Sequence, residues 1–458
     1  MRSHRHHLAL LLALTPPAAL AQTPEAATAP KLDPAAVEAV RTTLGFLASD
    51  ELGGRDTPSP GLERAVSYAV ERWKKAGLSP ASEQGFVLRY EMPGWRVANA
   101  ELRASLKLAD GKSLELVGEK DLRLFKMGDA VATQEQPVFL RSWVDAARDT
   151  AESKEAKSWV KLLELDESSA TWKALAGDRE ILAGRRRPQA PKGMPMIAVR
   201  AGALPAGKFS ASISAPAPSE VQLSLPNVVA LVRGSEKPDE IVLVSAHIDH
   251  VGISLPQRGG QDAIHNGADD DATGSTAVIL LAERFAARKT KPKRTLAFAL
   301  FSAEEKGLMG SAALAENPPF PLEQIAVNLN LEMLGRPEPG KRFYVWFTGI
   351  SQSDFAARAT PAFHAAGLDV IDFAMGEQLF FASDNASFAR KGVVAHSISA
   401  GSLHDDYHQP SDEPARIDAE HMAAAIAGIE RAIDVFDAAP DRPSYTEAAK
   451  KRLSGGGR

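Results

Sequence analysis

Beyond Pro226 the chain alternates short apolar runs with longer segments of helical period. Ile241-Val242-Leu243-Val244, Leu296 to Phe301, Val327 to Leu331 and Val393 to Ile398 read as buried strands, and Thr273 to Arg288 reads as a helix. Strands that alternate with helices predict an α/β fold, a three-layer sandwich with a mainly parallel central sheet. Two more helices are expected upstream. One starts at Asp33-Pro34 and carries Val37, Val40, Leu44 and Leu47 on one face; the other runs from Gly61 to Ala76 with Leu62, Val66, Val70 and Trp73 inward and Gly77 as its stop. Between them and Pro226 the period changes to two. Leu102, Ala104, Leu106 and Leu108 alternate, the pattern breaks at Asp110-Gly111, and it resumes at Leu114 and Leu116, which predicts a hairpin. The rest of this stretch mixes strand-like pieces with polar segments such as Arg185-Arg186-Arg187 and holds no histidine, so it reads as an inserted, β-rich accessory domain.

The first residues change the picture of where the protein works. A charged start, Met1-Arg2-Ser3-His4-Arg5, leads into an apolar stretch from Leu8 to Leu14 and then to Ala19-Leu20-Ala21, the plan of a secretory signal peptide. Residues 1–21 are read as that signal, 22–35 as a flexible leader, 36–95 and 226–437 as two segments of one catalytic domain, 96–225 as the insert, and 438–458 as a frayed tail. Export to the periplasm or the medium is expected, without membrane insertion, because no later run approaches the roughly 20 apolar residues a spanning helix needs. The chain has no cysteine, so its 458 residues are held by their cores and not by disulfides. A net charge of -5 argues against nucleic acid, whose phosphates call for a clustered positive field.

All eight histidines outside the signal segment fall at or after position 247, and carboxylate clusters lie among them. His247-Ile248-Asp249 follows the first strand; on extended backbone the two side chains point the same way, so a metal-binding imidazole and a carboxylate that fixes its tautomer are one reading and a surface pair is another. Gly267-Ala268-Asp269-Asp270-Asp271-Ala272-Thr273-Gly274 opens the helix. An acidic N-cap explains one aspartate, whereas three adjacent ones call for cations or amides to neutralise them. Glu304-Glu305 sits just past the second strand, where one carboxylate can bind metal while its neighbour moves a proton, or both can be solvated. Glu332 ends the third strand, and His408, in Tyr407-His408-Gln409-Pro410-Ser411-Asp412, follows the last one.

In this order the motifs resemble those of the co-catalytic zinc peptidase family that includes bacterial leucine aminopeptidases and glutamate carboxypeptidase. The resemblance covers about 36–95, with Asp50-Glu51 and Gly54-Arg55, and 226–437. It implies two zinc ions per chain: His247, Asp270 and Glu332 around one, and Asp270, Glu305 and His408 around the other, with Asp270 shared. It also implies Glu304 as general base, Asp249 as partner of His247, Tyr407 as the oxyanion donor, and a cis peptide after Asp270. Many members carry a protease-associated domain where this chain has 96–225. Three positions depart from the family: Glu332 stands where aspartate is usual, Ser383-Asp384-Asn385 where Ser-Asp-His is usual, and Phe380 where one branch has its oxyanion tyrosine.

The function expected is an aminopeptidase acting on peptide substrates with a free α-amine and an apolar first side chain. A carboxypeptidase of the glutamate carboxypeptidase type would need clustered arginines to clamp a carboxylate. Arg258, Arg336 and Arg390 are instead scattered in the sequence. A glutaminyl cyclase, or a binding module without catalysis, completes the alternatives; the Glu-Glu pair and the full donor set favour a hydrolase.

Overall fold

A computed structural model describes residues 30–133, 138–140, 161–183, 190–193, 195–206, 209–254 and 262–455. The signal-peptide segment, most of the leader, the Arg185-Arg186-Arg187 run and Arg258 lie outside these residues. Among the described residues no helix is long and apolar enough to cross a membrane.

The largest sheet has ten strands: β1 (Ser79–Pro80), β2 (Val87–Val97), β3 (Arg179–Leu182), β4 (Ser219–Val232), β5 (Lys237–His247), β6 (Arg294–Phe301), β7 (Ile325–Glu332), β8 (Tyr344–Phe347), β9 (Asp369–Val370) and β10 (Ala395–Ser399). Their spatial order is β9-β8-β10-β7-β5-β6-β4-β2-β3, with β1 beside β4. The centre, β10-β7-β5-β6, is parallel. Antiparallel strands finish both sides. Central strands of this kind are covered on both faces. Accordingly every residue of β6 is buried.

The helices follow local chemistry. In α1 (Pro34–Leu47) the Asp33 carboxylate accepts the Ala35 N–H at 2.9 Å, and Val37, Val40, Leu44 and Leu47 are buried. In α2 (Pro60–Ala76) the Ser59 hydroxyl caps Leu62 N–H at 3.1 Å, and Gly77 ends the helix in the left-handed conformation, φ +82°. These two pack with α3 (Gly274–Ala286), which also touches β4, β5, β6 and β7. A separate pair, α4 (Met309–Glu316) and α6 (Asn385–Ala389), packs against β4 and β10 respectively. Between them in sequence, α5 (Phe355–Ala365) lies against the long α7 (Ala419–Ala438), which returns to α1.

The hairpin pairs Arg103–Leu108 with Ser113–Val117 in the register Leu106 to Leu114 and Ala104 to Leu116. It belongs to one of two four-stranded sheets built from the region between β2 and β4. The long pairing of β2 with β4 runs from Val87–Val228 to Arg96–Ser219, so the large sheet itself continues into this region, with β3 on its edge. Within the segment read as a frayed tail, residues up to 455 are anchored. Tyr445 is buried and its hydroxyl donates to Val393 O at 2.8 Å, and α8 (Glu447–Gly455) follows. Pro440, Pro443 and the terminal glycines hid this anchor from the sequence pattern.

Candidate metal centre

Parallel register brings the chemistry together. His247 lies opposite Phe301 across β5 and β6, and Glu332 lies opposite Ser399 across β7 and β10, so the loops holding Glu304, Glu305 and His408 all leave from the same edge. That carboxyl edge is where such sheets collect ligands.

His247 Nε2 stands 3.3 Å from Asp270 Oδ1 and 3.7 Å from Glu332 Oε2. Its Nδ1 is closer to the Asp249 carbonyl, at 3.1 Å, than to the Asp249 carboxylate, at 3.7 Å. The carboxylate is engaged instead by the Thr57 hydroxyl at 3.0 Å and the Glu304 N–H at 3.1 Å, while Thr57 also accepts the Ala303 N–H at 3.0 Å. Asp249 therefore orients His247 through its backbone and the Glu304 turn through its side chain.

The three aspartates have three different surroundings. Asp269 Oδ1 accepts Gly335 N–H at 2.7 Å, and Oδ2 is 3.2 Å from His404 Nε2. Asp271 Oδ1 accepts the N–H groups of Gly274 and Met333 at 3.0 and 3.1 Å. Of the three aspartates, Asp270 is the one that faces three imidazoles, those of His247, His250 and His408, with its Oδ2 3.0 Å from His408 Nε2. Burial opposes its charge, but the contacts with His247 and His408 hold it well below the usual carboxylate range, whereas burial beside Glu332 pushes Asp271 well above it. The Asp270–Asp271 peptide is cis, as the resemblance implies. Asp412, four residues beyond His408, accepts the N–H groups of Asp269 and Asp270 at 3.0 and 3.2 Å and so ties the late-histidine loop to this turn.

Glu305 Oε1 is 3.1 Å from His408 Nε2 and 2.8 Å from His250 Nδ1. His250 went unread in the sequence. The His-x-Asp pattern assumes extended backbone, but the strand ends at His247 and irregular backbone beyond it brings His250 to the same centre. The signal was a second histidine within one strand-end motif. His250 Nδ1, Asp270 Oδ2, Asp271 Oδ2, Glu305 Oε1 and His408 Nε2 are buried without hydrogen-bond partners among the described residues. Buried polar atoms are rarely left so, and here they fall into two donor groups: His250, Asp270, Glu305 and His408, and His247, Asp271 and Glu332. Imidazole nitrogen with carboxylate oxygen suits zinc.

Beside the centre lies a cavity of about 100 Å³. His247, Asp270, Glu304 and Glu332 form its polar end; Met333, Trp346, Leu379, Ala382, Leu403 and Tyr407 are among its walls. Burial, with Asp384, Glu332 and Glu305 nearby, pushes Glu304 well above the usual carboxylate range despite the opposing pull of His247. Tyr407 is 41% exposed and its ring stacks on His408 at 4.0 Å between centroids; partial loss of water around its hydroxyl, with Asp270 and Glu305 nearby, raises the hydroxyl pKa.

Residues 227–432 match the family described as Peptidase family M28. That stretch, which holds both donor groups, is similar to the family. A probable zinc metalloprotease of Pyricularia oryzae is 27% identical over 298 residues, 62% of this chain and 48% of the relative. An aminopeptidase of Pseudomonas aeruginosa is 30% identical over 185 residues, 38% of this chain and 31% of the relative. The chain thus spans less than half the length of the curated relatives it matches. Among solved structures, a zinc aminopeptidase from Bacillus subtilis superposes with a TM-score of 0.50 over 87% of this chain and 94% of that one, at 16% identity, a likeness of fold.

The positions that depart from the family pattern now have surroundings. The Ser383 hydroxyl donates to Glu332 Oε1, so Ser383 holds the longer carboxylate in place. Asn385 is buried away from the cavity, donating to Phe380 O at 2.8 Å and accepting from Ser397 at 3.0 Å. Phe380 is 1% exposed and packs in the core, so the second tyrosine position, Tyr407, is the one at the cavity. Arg55 explains the upstream motif. Fully buried, it donates to Ile248 O at 2.9 Å, Asn266 O at 2.7 Å and Gly267 O at 3.1 Å, pinning both donor loops from behind. Gly54 must be glycine: at φ +71° any Cβ would come within 2.5 Å of two carbonyl oxygens, those of Gly252 and His265.

Proposed function

We propose that the chain is an exported, zinc-dependent aminopeptidase that uses a two-zinc centre to remove N-terminal residues from peptides. The observation that carries this reading is the shared wall: Asp270, Glu304 and Glu332 line one end of the same apolar-walled cavity. Carboxylates there favour a cationic α-amine, and the apolar wall favours an apolar first side chain. In this reading His247, Asp270 and Glu332 hold one zinc, and Asp270, Glu305 and His408 the other. Bound zinc lowers the pKa of water and polarises a carbonyl.

Glu304 takes one proton from the attacking water as its oxygen bonds to the scissile carbonyl carbon. It returns that proton to the nitrogen as the carbon–nitrogen bond breaks. A carboxylate whose pKa is raised by burial is suited to both halves of this exchange. Asp249 keeps the Glu304 turn and the His247 ring in place. The protonated Tyr407 hydroxyl at the cavity wall supplies a donor for the developing oxyanion. Residues 1–21 are proposed to direct export, and 96–225 to form the accessory domain.

The carboxypeptidase alternative draws less support. Arg336 is paired with Asp406 at 2.8 Å, and Arg390 lies over the Phe381 ring, 5.4 Å from its centroid. Leucine nitroanilide and its N-acetylated form separate the readings. The first is expected to be hydrolysed and the second not. Equal hydrolysis of both, or release of C-terminal glutamate, would overturn the aminopeptidase assignment and leave a hydrolase standing; no hydrolysis of either, with metal bound, would support a silent binding module.

A further inference from the structure

His250 has no task in the reading above, yet it is the most deeply buried imidazole of the centre, 0% exposed, with neither ring nitrogen in a hydrogen bond among the described residues. Its Nδ1 is 2.8 Å from Glu305 Oε1 and 3.6 Å from Asp270 Oδ2; His408 Nε2 is 3.1 Å and 3.0 Å from the same two oxygens. Although 2.8 Å is short, the ring nitrogen and the carboxylate lack hydrogen-bond alignment. The donor atoms of His250, Asp270, Glu305 and His408 all lie within 4.8 Å of one another. A tetrahedron whose donors lie about 2.0–2.1 Å from its centre has edges of about 3.3 Å. The four separations straddle that edge.

We infer that His250 is a fourth protein ligand of the site formed by Asp270, Glu305 and His408. This rests on the reading of the centre as a zinc site. The site then has a complete set of four protein donors, while the site of His247 and Glu332 keeps open positions. A second observation points the same way. The cavity is lined by His247, Asp270 and Glu332, and its wall does not include His250, Glu305 or His408. Full protein ligation belongs to metal ions that hold structure, and open positions belong to those that meet substrate. The two zinc ions therefore divide the work unequally: one anchors Asp270 and the His408 loop, and the other faces the peptide.

Full-length protein stripped of metal and titrated with Co²⁺ tests this, because cobalt absorption reports coordination number independently of turnover. The expected result is an intense four-coordinate band in the wild type that weakens sharply in His250→Gln, together with a roughly 10–100-fold loss of affinity at that site. Affinity alone does not decide, since a partner outside the ligand shell causes a loss of about the same size. A band of unchanged shape and intensity in the variant would overturn the inference while leaving the zinc reading intact. Absence of any cobalt band in the wild type would overturn both. A readout on the unaltered chain guards against misfolding of the variant: ¹⁵N-histidine spectra of the zinc-loaded protein are expected to show three zinc-shifted imidazoles, from His247, His250 and His408, and only two would contradict the inference.

Discussion

Asp270 lies between the two donor groups, 3.3 Å from His247 and 3.0 Å from His408, but the groups are built from different material. On the cavity side stand one imidazole, His247, and Glu332, whose carboxylate is held by Ser383. On the other side stand two imidazoles, His250 and His408, with Glu305 between them. The first group faces the space a substrate would fill; the second is fastened to the scaffold, His250 by its N–H to Arg55 O at 3.2 Å and the His408 loop by Asp412. The difference teaches that a shared carboxylate does not make two sites equivalent. What surrounds each site decides whether it is poised for exchange or for anchorage.

The largest effect is expected at the cavity side. Glu304→Gln removes a base without removing a donor, so turnover should fall ~10² to 10⁴-fold while metal content stays as in the wild type. Retention of more than about a tenth of the activity would remove Glu304 from that role.

Arg55→Met should injure both groups together. It leaves the carbonyls of Ile248, Asn266 and Gly267 without their buried donor, a loss of about 3–5 kcal/mol for a buried charged network. Denaturant unfolding would show it, and a shift under about 1 kcal/mol would mean the loops hold themselves.

Acid sensitivity separates the centre from the remaining fold. His396, the second residue of β10, is buried with its ring nitrogens at 2.7 Å from Thr348 O and 2.6 Å from the Ser353 hydroxyl, and burial lowers its pKa from 6.5 to about 4. The unfolded chain therefore takes up this proton first as pH drops below about 6.5, so stability falls between about 6.5 and 4, by about 3 kcal/mol in all. His396→Gln should flatten that slope with metal content unchanged; an unaltered slope would assign the acid sensitivity elsewhere.

The smallest effect should be confined to one group. Ser383→Ala removes the hydroxyl that holds Glu332 and should weaken one site by about 10–100-fold, the usual range for a partner of a ligand. Glu332→Asp should weaken the same site by drawing the carboxylate back from His247. Equal weakening of both sites by either variant would erase the distinction between them.

Much of this was legible in the sequence because strand ends are legible. Apolar runs ending at His247, before Glu304-Glu305 and at Glu332 place three donors on one sheet edge from the sequence pattern alone. His250, Asp412 and Arg55 were not assigned roles. Each acts through a turn or a backbone contact between distant segments, and Arg55 reaches carbonyls about 200 positions away, beyond any periodicity. The continuation of β2 and β4 into the accessory region was likewise hidden, because Pro93 and Pro226 interrupt the apolar alternation inside strands that nonetheless pair throughout.

Metal analysis of the purified full-length protein beside Asp270→Ala tests the central claim most directly. The account predicts about two zinc ions per chain in the wild type and fewer than one in the variant, because the carboxylate placed between His247 and His408 is gone. Two zinc ions retained in Asp270→Ala, or a wild type that binds none, would contradict it.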